Sequence, residues 1–371
     1  MMKLFREIHL WISVPFGIII TLVCFSGAML VFEPEITRAV KSDVYYVAEV
    51  KESALPMGEL METVRASLPD SVSITGVTVS SDRERAYQVN LSKPRRAALF
   101  IDQYSGKITG RYERLGFFAA MFKLHRWLLD SANPHGDGIK IGKTLVGIST
   151  LAFAIALITG VILWLPRARK NLRHSLAISL SNGWKTFWKG LHVAGGMYAL
   201  VVVLAMALTG LTWSFDWYCS AFYAACGVEY TPRNSSHAGK KGRHGNELRH
   251  SGFGQWQQAY DQLKAQNPDA PQITIAPESA TVTLGNSGNS RASDRYDINR
   301  RSGEVTPSTK YADAADADKL RGWIYSIHTG SFGGMFTRIL WLLGALLGAS
   351  LPLTGYYIWI KHLLSKKKRK K

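Results

Sequence analysis

The chain has 371 residues, 47% of them hydrophobic, and a formal net charge of +18. That charge would suit a soluble nucleic-acid-binding protein, but its distribution argues against one. Four stretches of at least 22 residues, 8–32, 144–166, 191–215 and 339–360, contain no Asp, Glu, Lys or Arg. A helix that crosses a bilayer needs about 20 apolar residues. The composition therefore excludes an ordinary soluble protein and predicts four transmembrane helices.

The remaining charge predicts how the chain is oriented. Residues 1–7, the connector 167–190 and the tail from 361 together carry +14, whereas 34–139 and 216–335 carry only +1 each. Basic residues are retained on the cytoplasmic side of a membrane. Both termini and the connector are therefore expected in the cytoplasm of a bacterium, with the chain in the lipid bilayer of the inner membrane and no nucleic-acid partner.

In chain order, these signals predict eight segments. They are transmembrane helix 1 (1–33), a first periplasmic domain (34–139), transmembrane helix 2 (140–166), a cytoplasmic connector (167–190), transmembrane helix 3 (191–215), a second periplasmic domain (216–335), transmembrane helix 4 (336–361) and a basic cytoplasmic tail (362–371).

The two periplasmic domains are predicted to be small α+β units. Residues 58–68 have the spacing of an amphipathic helix, and residues 73–80 and 87–92 alternate like strands. Residues 100–107 and 297–304 match each other weakly, and both are typical of a strand, a turn with Gly and a second strand.

A fixed offset of 183 residues relates the two halves of the chain, so that stretch 8–32 falls on stretch 191–215. Under this shift His9 falls on His192, and each of the four helices carries a Ser/Thr-Gly step, at which small residues permit close helix packing. The steps are Ser26-Gly27, Thr159-Gly160, Thr209-Gly210 and Thr354-Gly355, and a Trp follows soon after in three of them. A parallel duplication is predicted, with a pseudo-two-fold axis along the membrane normal.

In the kind and order of its motifs, the sequence resembles the PepSY-associated transmembrane family. The resemblance rests on the His-bearing segments 123–127 and 326–330, the Thr-Gly-to-Trp endings 159–164 and 354–359 and the Gly-containing strand turns, and it covers nearly the whole chain. This family includes iron-regulated inner-membrane proteins and siderophore reductases. The resemblance implies b-type haem and electron transfer outward to a ferric siderophore in the periplasm. Up to two haems per chain are expected from the histidine pairs described next.

Two pairs of histidines are the candidate haem ligands. His9 and His192 are expected at equal depth near the cytoplasmic side, where two neutral imidazoles could bind opposite faces of a haem iron. Gly17, Gly195 and Gly196 are expected to leave room for the macrocycle. A lone histidine at such a depth is also a common interfacial anchor, and this alternative stays open.

His125 and His328 form the matching pair on the periplasmic side. His328 precedes its Thr-Gly step by 26 residues and His125 by 34, so an insertion around 131–138 is expected in the first half. His135 lies in that insertion and is an alternative ligand to His125.

No catalytic residue is predicted beyond these ligands. The sequence has no Gly-x-Gly-x-x-Gly fingerprint, and residues 136–144 fail the spacing of a phosphate loop, so electrons must come from a separate, unidentified cytoplasmic or membrane donor. The favoured function is a haem-dependent ferric-siderophore oxidoreductase. The alternatives are a non-redox PepSY-type protein that binds peptides or modulates proteases, and a small transporter. Candidate contacts for the chelate are Arg95, Arg96, Tyr104, Arg300 and Arg301.

Overall fold

The computed structural model describes residues 2–130, 141–230, 253–285 and 287–368. The helices are α1 Met2–Leu30, α2 Glu33–Val40, α3 Ser42–Tyr45, α4 Met57–Ala66, α5 Gly116–Trp127, α6 Ile141–Lys170, α7 Leu172–Ser175, α8 Gly183–Gly190, α9 Gly196–Leu211, α10 Asp216–Ala225, α11 Gly254–Gln266, α12 Asp316–Thr329 and α13 Gly334–Lys368. The strands are β1 Ile74–Ser80, β2 Tyr87–Leu91, β3 Ala98–Ile101, β4 Ile108–Arg111, β5 Gln272–Ile275, β6 Ser279–Thr283, β7 Ser293–Ile298 and β8 Val305–Thr309.

The described residues fall into two compact units. The helical unit lies within residues 1–33, 115–229 and 324–371, and the sheet unit lies within 34–114 and 230–323. Four helical segments, Met2–Leu30, Ile141–Lys170, Gly183–Leu211 and Ser331–Ser365, are long and apolar enough to cross a membrane. The predicted four-helix membrane protein is confirmed at this level.

The four long helices of the helical unit pack as a ring. Helix α1 packs against α6 and α13, and α9 packs against the same two helices. Ile20, Leu157, Val203 and Leu351 meet in their shared core. Each helix of the bundle packs against one helix of its own half of the chain and one of the other half. Their contacts therefore join residues far apart in sequence.

A single π-helical turn, Leu191–Gly195, joins α8 to α9. The third membrane segment therefore begins at Gly183, inside the predicted connector 167–190. A π turn inserts one extra residue into the helical repeat, and such turns are frequent at functional sites. His192 lies in this turn.

The sheet unit is built on one antiparallel sheet in the order β4-β3-β2-β1-β5-β6-β7-β8. At its centre β1 pairs with β5, with Val77 opposite Ile275 and Ser80 opposite Gln272. Helices α4 and α11 pack against each other, and their residues share one hydrophobic core with the strands.

This architecture differs from the predicted pair of separate periplasmic domains. The segments 34–139 and 216–335 each contribute four strands, but β1 and β5 would be edge strands if each segment folded alone. An unpaired edge exposes a row of N–H and C=O groups, and the pairing of β1 with β5 satisfies them. The parts of the two segments within 34–114 and 230–323 therefore form one α+β unit.

The predicted local elements of the sheet unit are confirmed. Residues 58–68 correspond to α4, and the strands predicted at 73–80 and 87–92 correspond to β1 and β2. The two matching turns both place Gly in the left-handed region, with φ of 72° at Gly106 and 70° at Gly303. Glycine adopts this conformation without the penalty that a Cβ atom imposes.

Candidate functional site

The first histidine pair consists of His9 on α1 and His192 in the π turn before α9. Their ring centroids lie 6.3 Å apart, and the ring planes are inclined at 79°. The two rings that the 183-residue offset relates are therefore neighbours in the structure.

Each imidazole of the first pair is hydrogen-bonded to a second long helix of the same half of the chain. His9 Nδ1 lies 3.0 Å from the carbonyl oxygen of Ala156 and 3.0 Å from Thr159 Oγ1 on α6. His192 Nδ1 makes the same two contacts on α13, each at 3.0 Å, with Leu351 and Thr354.

The second histidine pair consists of His125 on α5 and His328 on α12, with ring centroids 6.0 Å apart and planes inclined at 54°. His125 Nδ1 lies 2.9 Å from the carbonyl oxygen of Val23 on α1. His328 Nδ1 lies 3.0 Å from the carbonyl oxygen of Met206 on α9 and 3.2 Å from Thr209 Oγ1.

All four rings are seated on the Ser/Thr-Gly steps. A Cβ atom added to Gly27, Gly160, Gly210 or Gly355 would lie 2.9, 3.5, 3.1 or 3.3 Å from Cε1 of the adjacent imidazole. Each accepting carbonyl belongs to the residue four positions before that glycine. The steps were predicted as helix-packing motifs, and in the structure their glycines make room for the four imidazole rings.

These contacts fix the protonation of the rings. A carbonyl oxygen can only accept, so each Nδ1 carries the proton and donates it, and Nε2 keeps its lone pair. Among the described residues, no hydrogen bond is made by Nε2 of any of the four. Burial lowers the pKa of His328 to about 3 and also lowers that of His125, so both rings are neutral near pH 7. Metal-binding histidines adopt this arrangement, with the second ring nitrogen donating to a carbonyl.

The spacing of each pair fits two ligands of one metal ion. Two imidazoles that each bind one ion through nitrogen at about 2 Å have centroids roughly 6 Å apart. The observed 6.3 and 6.0 Å agree with that distance. All four rings are only partly buried in the chain itself. The described residues contain no group of three or more His, Cys, Asp or Glu that could hold a metal ion, so each pair could supply two imidazole ligands but not a complete coordination shell.

The glycines predicted to make room for a macrocycle beside the first pair have other neighbours. A Cβ atom at Gly17 would meet the hydroxyl of Tyr356 at 2.6 Å, and those at Gly195 and Gly196 would meet leucine side chains at 3.3 and 3.4 Å. They are close-packing positions, and that prediction is corrected.

The alternative ligand and the predicted chelate contacts differ in their burial and their partners. His135 lies outside the described residues. Tyr104 is buried at 7% exposure, and its hydroxyl donates to the carbonyl of Arg83, so it is not a surface contact. Arg300 pairs with Glu278 at 2.8 Å. Arg95, Arg96 and Arg301 are exposed, as predicted.

One neighbour of the second pair was missed. The Trp213 ring lies 5.0 Å from that of His328 and is inclined to it at 74°. The 183-residue offset places Leu30 at the equivalent position, so the equivalent residue of the first half carries no aromatic ring. The Trp that follows three of the Ser/Thr-Gly steps is the available signal for this contact, but its spacing alone does not indicate a histidine partner.

Four helices able to cross a membrane, together with an antiparallel sheet unit, define a membrane protein with an α+β domain. The chain matches the family model of the PepSY-associated TM region over residues 6–362 and belongs to that family. The resemblance seen in the sequence is thereby confirmed. No curated protein matches the chain.

Proposed function

We propose that this protein is an inner-membrane di-haem electron-transfer protein that reduces ferric siderophores on the periplasmic side. The observation that carries the proposal is the repeated histidine geometry. Within each pair the two imidazole centroids lie about 6 Å apart, and each ring has its Nδ1 hydrogen-bonded to a helix carbonyl and its Nε2 available. An interfacial anchor needs neither a partner ring nor a fixed tautomer.

The chain's residues would hold and orient two b-type haems, one at each pair. Haem iron between two imidazoles supplies one-electron exchange between the ferric and ferrous forms. His9 and His192 would bind the haem on the cytoplasmic side, and His125 and His328 the haem on the periplasmic side. The seats on α1, α6, α9 and α13 fix the rings before a haem binds, which lowers the cost of ordering them.

The separation of the pairs suits transfer across a bilayer. His9 and Val23, which accepts from His125, are 14 residues apart on α1, which corresponds to about 21 Å of helix. Two redox groups at these levels would divide a hydrocarbon core of roughly 30 Å into shorter steps. The +14 charge of the segments containing the termini and connector favours the orientation with the first pair toward the cytoplasm.

Native cysteines offer a test of that orientation. Cys226 is exposed just beyond α10, whereas Cys219 is buried and Cys24 lies within α1. We expect a membrane-impermeant maleimide to label Cys226 in spheroplasts with intact membranes, and Cys226→Ser to abolish the labelling. Labelling only after the membrane is broken would reverse the orientation and overturn this part of the proposal.

Reduction is the chemistry that a ferric siderophore requires. Hard oxygen ligands hold ferric iron tightly, and one electron converts it to the softer, more labile ferrous ion. The exposed Arg95, Arg96 and Arg301 would attract the anionic chelate. The electron would come from a separate cytoplasmic or membrane donor, because the sequence carries no nucleotide fingerprint.

The test is the reoxidation of purified, dithionite-reduced protein by ferric hydroxamate, catecholate and citrate chelates, with a ferrous trap. We expect rapid reoxidation by at least one chelate and the appearance of trapped ferrous iron. His328→Ala, which leaves the first pair intact, is expected to lose the rapid phase. Equal rates for both proteins with every chelate would remove the reductase function and favour a peptide-binding role.

A further inference from the structure

The hydroxyl groups of the Ser/Thr-Gly steps contact three of the four histidine rings and not the fourth. Thr159, Thr354 and Thr209 place Oγ1 within 3.0, 3.0 and 3.2 Å of the adjacent imidazole Nδ1. Ser26 is the equivalent residue beside His125, and within the described part of the chain its hydroxyl hydrogen-bonds only to carbonyls of its own helix, Leu22 at 2.6 Å and Val23 at 3.1 Å. The second pair therefore has one such hydroxyl contact and the first pair has two.

The direction of these bonds follows from what each atom can donate. The three threonine hydroxyls are buried, with 2–4% exposure. Each also lies within hydrogen-bond distance of carbonyls on its own helix, as Thr159 does with Ile155 at 2.9 Å and Ala156 at 3.0 Å. A hydroxyl has one proton and two lone pairs. Since that proton goes to a carbonyl, the oxygen is left to accept from the Nδ1–H of the histidine.

We infer that Thr159, Thr354 and Thr209 are positioning residues that share the Nδ1 proton of haem ligands, and that they lower the reduction potential of the first pair more than that of the second. The inference rests on the proposed haem binding. An acceptor on Nδ1–H makes the imidazole a more basic ligand, and a more basic ligand favours ferric over ferrous iron. Four acceptors, two carbonyls and two hydroxyls, act on the first pair, and three act on the second.

This difference in reduction potential favours one direction of electron transfer. Electrons pass spontaneously from a group of lower potential to one of higher potential. The hydroxyl contacts therefore favour transfer from the pair near the N terminus to the pair on α5 and α12, which is the direction that outward reduction of a chelate requires.

The experiment is a spectroelectrochemical titration of single-pair proteins. The His328→Ala background retains the first pair, and the His9→Ala background retains the second. In the first background, Thr159→Val with Thr354→Val is expected to shift the midpoint potential upward. In the second, Thr209→Val is expected to give a smaller upward shift, because one bond of 3.2 Å is lost.

Two controls separate the hydroxyl contact from packing. Ser26→Ala removes a hydroxyl that does not contact a ring, and no shift is expected. Thr159→Ser with Thr354→Ser retains both hydroxyls and is expected to titrate like the parent. If a valine variant holds no haem, alanine at the same position gives the comparison with less bulk.

The outcomes distinguish this inference from the proposed function. Haem-loaded protein in which the Thr→Val variants titrate like the parent, or in which Ser26→Ala shifts as much as Thr209→Val, overturns the role of the hydroxyls and leaves haem binding intact. Wild-type protein that holds no haem overturns both.

Discussion

The two histidine pairs share one local geometry but are supported by different parts of the fold. The rings of the first pair lie on long membrane segments and are seated on two others, α6 and α13. The rings of the second pair lie on the shorter helices α5 and α12 and are seated on α1 and α9. Helix α5 ends at Trp127, and the next two residues, Leu128 and Leu129, have positive φ angles of 52° and 63°. The packing of the four long helices thus fixes the first pair. The second pair also depends on how the short helices α5 and α12 pack against those long helices.

The largest expected effect comes from removing a proposed haem ligand. If each pair holds one haem as proposed, His9→Ala and His192→Ala would each remove one of the two ligands of the same haem, so each is expected to lose the same half of the bound haem. His125→Ala and His328→Ala are expected to lose the other half. Haem-to-protein ratios by pyridine haemochrome measure this. A variant that removes both haems, or partners that remove different ones, would contradict the pairing.

A change remote from the rings is expected to affect only the second pair. A Cβ atom on Gly142, at the start of α6, would clash with the Trp127 carbonyl at the end of α5. Such overpacking costs roughly 1–3 kcal/mol, or about a 5- to 150-fold loss of haem affinity if it displaces His125. Gly142→Ala is expected to weaken the second haem and spare the first.

Gly116→Ala, at the start of α5, is the matched control for that change, because a Cβ atom there would meet no described atom within 4 Å. It is expected to bind both haems like wild type. Equal loss of the two haems in Gly142→Ala would show a general folding defect and would break the contrast between the pairs.

The glycine seats give a finer comparison. Gly27→Ala would press Cβ against His125 at 2.9 Å, whereas Gly160→Ala would lie 3.5 Å from His9, an ordinary contact distance. We expect Gly27→Ala to lower the thermal stability of the haem-loaded protein by the equivalent of about 1–3 kcal/mol. Gly160→Ala is expected to change it by less than about 1 kcal/mol. The reverse order would mean that the rings do not rest on these glycines.

The smallest expected effect concerns His135. Because His125 already pairs with His328 at 6.0 Å, His135→Ala is expected to leave the haem content and the absorption bands unchanged. A loss of the second haem in this variant, with His125→Ala unaffected, would move the ligand to the other histidine.

The sequence predicted much of this arrangement because the informative signals are local or repeated. Charge-free stretches identify the four membrane helices, and one offset relates His9 to His192. The Gly106 and Gly303 turns could be predicted because their residues lie next to each other in the chain.

The parts that could not be predicted depend on contacts between distant residues. The pairing of Val77 with Ile275 across the sheet centre has no periodic signal in either strand, so two domains were expected where one sheet forms. The carbonyl acceptors of the histidine Nδ1 protons lie 102–159 residues away. Only the folded helices show that a Ser/Thr-Gly step is the seat of a ring rather than a contact between helices.

The central claim, that each imidazole pair binds one haem iron, is tested most directly by electron paramagnetic resonance of the oxidised, purified protein. The account predicts two low-spin ferric signals of the bis-imidazole type, of which His9→Ala loses one and His328→Ala loses the other. Protein without haem, or ferric signals that are high-spin and unchanged in both variants, would contradict it.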